Sequence, residues 1–205
     1  MAVEEGSRRE QKRRATHRAI TDAAWGLFSR NGFDATTVDQ IAAEAQVSQR
    51  TFFRYFDSKE AVLFGDWRQE YAEIERLVRG RPAGEEPMVA LLGALLSLAD
   101  YYEAQRDMMM RRAHLVATSP NVGRYQQVTI EPAFQTMLAE ALAERLGVDV
   151  ETDLRPGLYA AVGRAVIATA VARWMAQPDG VHPAEVVREV FALLPAPPDV
   201  EAVDT

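Results

Sequence analysis

The sequence predicts an all-α protein of about nine helices. Three observations predict it: apolar residues recur at helical spacing almost throughout, no period-two alternation is sustained, and Gly, Pro and Asx stops punctuate the chain. The 205 residues include no cysteine and are 48% apolar, so a sizeable core must form without disulfides or thiolate-bound metal. That composition fits a reducing, cytoplasmic setting.

The first ten residues, rich in both signs of charge, read as a disordered arm and carry no apolar run of a secretory leader. Ile20, Ala23, Ala24, Leu27 and Phe28 form one face of the first helix, which Asn31-Gly32 ends. Thr37-Val-Asp-Gln40 has the form of a capping box and opens a short second helix. After Gln46-Val47, Ser48 is a ready N-cap for a third helix reaching about Tyr55. A fourth helix is expected to run unbroken from Lys59 to about Arg79, with Phe64, Trp67, Tyr71, Ile74 and Val78 as its stripe. Beyond the loop marked by Gly80, Pro82, Gly84 and Pro87, a buried helix spans Met88 to Tyr102. Later helices are expected over 107–117, 125–146, 154–177 and 183–194, and residues 195–205, rich in proline and acid, read as a disordered tail. The longest apolar run, Met88 to Ala99, is too short to cross a bilayer, so no membrane partner is expected. Three scattered histidines make a metal site improbable, and no cofactor motif is present.

Charge is uneven. Between Gly6 and Phe56 nine basic residues face five acidic ones, in a chain whose net charge is −7. A basic head on an acidic body suits a polyanion, although a solvated basic tail has the same composition. Two short helices joined by Ala45-Gln46-Val47-Ser48 after a longer one have the layout of a helix-turn-helix. In such a unit the second helix enters the major groove of double-stranded DNA by its N-terminal end. Gln49 and Arg50 match adenine and guanine edges respectively, and Thr51 follows them on the same turn. Val47, Phe52 and Phe56 would pack inward, Phe53, Arg54 and Tyr55 would lie at the sugar–phosphate backbone, and Lys59 would meet a phosphate. An ordinary helical hairpin with solvated Gln and Arg is the alternative on geometry alone.

The segments Thr36 to Ala45 and Val47 to Leu63 (VSQRTFFRYFDSKEAVL) resemble the tetracycline-repressor family of one-component regulators. The resemblance covers about Arg14 to Leu63. It implies a homodimer in which residues 11–57 bind DNA and residues 58–194 form a ligand-binding and dimerisation bundle. By position it implies phosphate contacts from Thr37, Ser48, Tyr55 and Lys59, with Gln49, Arg50 and Thr51 facing bases. Two departures stand out: Gln46 occupies a turn position where the family often has glycine, and Phe53 replaces a usual tyrosine. The stretch Arg50 to Phe56 with Leu63-Phe-Gly-Asp66 is similar to a subfamily that includes the regulator of mycofactocin genes, which implies an effector resembling acyl-coenzyme A.

In the larger half, Trp67, Tyr71, Tyr101, Tyr102, Met109, His114, Tyr125, Phe134, Met137 and Trp174 are candidates to line an apolar pocket, or simply to fill the core. Of the run Met108-Met109-Met110 at most two point inward. Small residues at Ala161, Ala165, Ala168 and Ala172, with Val187 and Phe191, suit a two-fold four-helix dimer interface, or a helix merely buried in the monomer. No Ser/His/Asp order, phosphate loop or carboxylate–histidine cluster points to an enzyme. The expected function is a ligand-responsive repressor on a palindromic operator; the alternative is a DNA-binding regulator or architectural protein with no small-molecule pocket.

Overall fold

The computed structural model describes residues 2–65, 67–177 and 180–194, so the expected tail at 195–205 lies outside the described residues. Among these residues there are twelve α-helices and no strand. They are α1 (Ala2–Asn31), α2 (Val38–Glu44), α3 (Gln49–Tyr55), α4 (Lys59–Phe64), α5 (Trp67–Arg79) and α6 (Pro87–Ser97). Then follow α7 (Ala99–Ala104), α8 (Arg106–Thr118), α9 (Pro120–Tyr125), α10 (Glu131–Leu146), α11 (Leu154–Met175) and α12 (Pro183–Ala192). A π-helical turn, Gln126–Ile130, joins α9 to α10.

The increase from nine helices to twelve has local causes. The expected fourth helix is broken at Gly65, whose φ of 56° and ψ of −141° lie where residues with a Cβ are strained. The helix expected over 88–102 is interrupted at Leu98, whose N–H turns back to the carbonyls of Leu95 and Leu96. The region expected to begin at Tyr125 starts earlier, at Pro120. Residues 1–10, expected to be a disordered arm, are helical from Ala2 onward. Ala2, Glu4, Glu5, Arg8, Arg9 and Glu10 are strong helix formers, so the segment extends α1 instead of departing from it.

The chain forms two compact units. The first runs to Trp67 and takes in Arg111–Ile130. Here α1 packs on α2 and α4, α2 on α3, and α4 on α9. Ile20, Ala24, Leu27 and Phe28 of α1 are buried with Phe33, Ile41, Ala42, Phe52, Phe56 and Val62. Each fully buried aromatic or branched side chain of this kind contributes about 1.5–3 kcal/mol.

The second unit comprises Arg68–Met110 and the chain from Glu131 onward. One cluster gathers Ile74 and Val78 of α5, Leu91 and Leu95 of α6, Phe134, Leu138 and Leu142 of α10 and Ala160 of α11. A second gathers Met109 of α8, Val166, Ala170 and Trp174 of α11 and Val186 and Val190 of α12. At Gly163 a Cβ would stand 2.5 Å from Leu91 Cδ2 and 3.3 Å from Leu138 Cδ2, so glycine lets α11 lie close against α6 and α10. The loop between α5 and α6 is gathered by Arg145, which donates to the carbonyls of Val78 (3.2 Å), Arg81 (2.9 Å), Pro82 (2.7 Å) and Glu85 (3.2 Å). Arg106 caps the end of α11 in the same way, donating to Gln177 O at 2.9 Å while its guanidinium lies 4.7 Å from the Trp174 ring.

No helix among the described residues is long and apolar enough to cross a membrane.

Candidate nucleic-acid interface

Two N-caps hold the helix pair of the first unit. The Thr37 hydroxyl accepts from Gln40 N–H at 3.2 Å while Gln40 Oε1 accepts from Thr37 N–H at 2.9 Å, which is the full capping box. Ser48 Oγ accepts from Thr51 N–H at 3.0 Å and shares a hydrogen bond of 2.9 Å with the Thr51 hydroxyl. These contacts fix where α3 starts and leave the side chains of Gln49 and Arg50 exposed on its first turn.

The turn is closed by Gln46, whose φ of 55° is left-handed although it carries a Cβ. Gln46 N–H donates to Ala43 O at 3.0 Å and Val47 N–H to Ala42 O at 2.9 Å. The glycine-free turn therefore reaches the same closure.

Behind α3, Phe52 is fully buried and lies 5.8 Å from Phe56, whose ring is 4.7 Å from His17 of α1. This aromatic wall sets the roll of the helix. Phe53, 47% exposed, and Arg54 face outward, the Arg54 guanidinium lying 5.3 Å from the half-buried Tyr55 ring. Thr37, Ser48, Gln49, Arg50, Thr51, Phe53, Arg54 and Tyr55 thus all belong to this one unit and sit on or at the caps of α2 and α3.

Lys59 departs from its expected role at a phosphate. Its ammonium donates to the carbonyls of Phe33 (2.8 Å), Asp34 (3.3 Å) and Thr36 (2.9 Å) and rests 4.4 Å from the Phe33 ring. An ammonium has three N–H groups, and three carbonyls take them. Lys59 is a strut under the α1–α2 loop. A second support that sequence reasoning missed is Ser119, buried at the start of α9, whose hydroxyl donates to Asp34 Oδ1 at 3.2 Å. Residues so far apart in sequence leave no spacing signal.

The ten pocket candidates are divided between the two units. Trp67, His114 and Tyr125 belong to the first unit. There Trp67 is buried, Tyr125 stacks at 5.5 Å on Phe64, and His114, expected to be a core or ligand-facing histidine, is exposed on the outer side of α8. In the second unit Tyr71 stacks at 4.5 Å on Phe134 beside Met137, whereas Met109 and Trp174 occupy the other cluster, which Tyr102 borders. Trp174 Nε1–H donates to Val181 O at 3.0 Å. Burial and the adjoining Glu70 carboxylate hold the Tyr102 phenol above its ordinary range, so it stays neutral. Tyr101 is 50% exposed and lines no core. Of the three consecutive methionines only Met109 is buried.

Among the expected interface residues, Val187 and Phe191 face inward onto both clusters of their own unit, because α12 lies between α11 and α6. Ala165, Ala168 and Ala172 are exposed and Ala161 is partly so. Leu154, 88% exposed, and Leu158, 61% exposed, extend the same row and were missed, although their spacing of three and then four residues back from Ala161 is readable.

Comparison with known proteins agrees with this geometry. Residues 20–64 match the family of bacterial regulatory proteins named for TetR, and residues 85–198 match the MftR C-terminal domain. The chain is 32% identical over 178 residues to the HTH-type transcriptional regulator TcmR of Streptomyces glaucescens, covering 83% of this chain and 78% of that protein. It is 29% identical over 169 residues to a Mycobacterium tuberculosis protein assigned as the mycofactocin biosynthesis transcriptional regulator MftR, covering 82% and 84%. Among solved structures, Thermus thermophilus FadR, a TetR-family repressor in complex with lauroyl-CoA, superposes with a TM-score of 0.54 at 26% identity, over 90% of this chain and 98% of that one.

Replacing Lys59 by Met should lower unfolding free energy by ~1–3 kcal/mol, since three carbonyls lose a charged donor. Denaturant titration measures this. The salt dependence of DNA affinity should not change; a slope shallower by about 0.9 would return Lys59 to a phosphate.

Proposed function

We propose, since the chain belongs to the TetR family of bacterial regulatory proteins, that it is a repressor binding a palindromic operator as a homodimer and released by an amphipathic, acyl-coenzyme A-like effector. The observation that carries the DNA reading is the first turn of α3: capped by Ser48, backed by Phe52, with Gln49 and Arg50 exposed. A guanidinium presented on a helix held at fixed roll suits bidentate reading of guanine in the major groove. Ser48, Thr37 and Tyr55 hydroxyls and Arg54 then serve as backbone contacts that set register.

The dimer reading is supported by the outer face of α11. Leu154, Leu158, Ala161, Ala165, Ala168 and Ala172 repeat at alternating steps of four and three and leave an apolar seam at the surface. Small side chains along such a row let a second copy of the helix approach closely, and a two-fold axis makes the same row complementary to itself.

The effector reading is supported by the lauroyl-CoA carried by the Thermus FadR and by the match to an MftR-type C-terminal domain. A second reading, a regulator without a small-molecule pocket, is favoured by the burial of Met109, Phe134 and Trp174 in packed clusters. Lauroyl-CoA separates the two. Release requires it to lower operator affinity about 5–150-fold, and operator to lower its affinity by the same factor. Equal affinity with and without operator favours the pocket-free regulator.

Arg50→Ala should cost ~1–3 kcal/mol of operator binding and relax preference at particular base pairs, read by selection from random duplexes. An unchanged preference removes Arg50 from base reading. Ala168→Arg should yield monomers in sedimentation with operator affinity greatly reduced; an undiminished dimer puts the interface elsewhere.

A further inference from the structure

α1 is much longer than the core it serves. It starts at Ala2, yet among its described side chains the first buried one is Ile20. At 1.5 Å per residue, the part preceding His17 is about 22 Å long, roughly four turns. The helical period fixes which way each residue of that overhang lies. Ile20, Ala24 and Leu27 are buried, and stepping back along the same row leads to Thr16, Arg13 and Arg9, with Lys12 one step to the side. One face of one helix is therefore apolar where it packs and basic where it overhangs. Arg9, Lys12 and Arg13 are all exposed.

His17 marks where the overhang leaves the domain. Its ring lies 4.7 Å from Phe56 and 6.4 Å from Tyr55, at the C-terminal end of α3. The basic row consequently begins beside Arg54 and Tyr55, the residues already assigned to the sugar–phosphate backbone.

We propose that Arg9, Lys12 and Arg13 form a second DNA-binding site, an arm that lies along backbone phosphates flanking each half-site, outside the reach of α3. Its ligand is the phosphodiester backbone of duplex DNA, not base edges, because a row of long cations on the surface of a helix neutralises charge without reading sequence. The arm adds affinity and width to the footprint and adds no specificity. This inference rests on the reading that α3 enters an operator.

The test uses the full chain and the duplex recovered by selection from random DNA. The variant R9Q/K12Q/R13Q keeps helix-forming residues, and R9K/K12R/R13K keeps the charge. If the arm binds phosphates, the first variant loses about 0.9 per contact from the slope of log affinity against log salt, about 2–3 in all. Its hydroxyl-radical footprint contracts at both outer edges, its selected consensus is unchanged, and the charge-preserving variant behaves as the wild type. A wild-type slope and footprint for R9Q/K12Q/R13Q, with the consensus intact, overturn the arm and leave the operator reading standing. Loss of binding by the charge-preserving variant as well assigns these residues to folding and overturns the arm. Failure of the wild-type chain to select any consensus overturns the operator reading, and the arm falls with it.

Discussion

A chain built only of helices, broken as often as this one, must find partners for the carbonyls exposed at each break. The last turn of every helix leaves about four without an internal donor. Three cations meet a small part of that demand, chiefly in the loops that follow the breaks. Lys59 takes the carbonyls of Phe33, Asp34 and Thr36, Arg145 those of Val78, Arg81, Pro82 and Glu85, and Arg106 that of Gln177. Each is far in sequence from the loop it gathers, so each also ties a connection to a distant helix. The cationic groups of this protein are thus divided between holding the backbone and facing outward, and burial separates the two roles.

That division matters most on the DNA-facing side. A hydroxyl accepts and donates at once, so Ser48 and Thr37 can cap a helix through a lone pair and still offer an O–H to a phosphate. In the proposed DNA-binding role, local folding and ligand binding would use the same atoms, with the donors positioned in advance. An ammonium has no such duality. Here the three N–H groups of Lys59 are directed at the carbonyls of Phe33, Asp34 and Thr36.

The legible parts of the sequence were those governed by short-range chemistry. The capping box at Thr37 and Gln40, the N-cap at Ser48 and the face of Ile20, Ala24 and Leu27 all depend on neighbours within one or two turns, and all form as expected. Gly65 was hidden because the apolar period on either side of it runs on without a change of phase, although the backbone turns there. The carbonyl contacts of Lys59 were not legible because its partners lie more than twenty residues upstream, in a loop with no periodicity. Val187 and Phe191 look from sequence like an interface pair, but amphipathicity says only that a face is covered, not whether the cover belongs to the same chain. The pocket candidates fall in both units for a related reason: large apolar side chains mark burial, and burial in a bundle has many sites.

The three tryptophans of the chain are placed so that ultraviolet light distinguishes its two units. Trp25, beside Phe28 in α1, and Trp67 belong to the first, whereas Trp174 belongs to the second. Trp174 alone sits buried beneath the Arg106 guanidinium with its indole N–H bonded to Val181 O. A cation over the ring and a fixed hydrogen bond at its edge define the electronic environment of this indole. Its emission therefore follows the joint between α11 and α12, and changes there can be resolved from events around α1 in a chain carrying no attached dye.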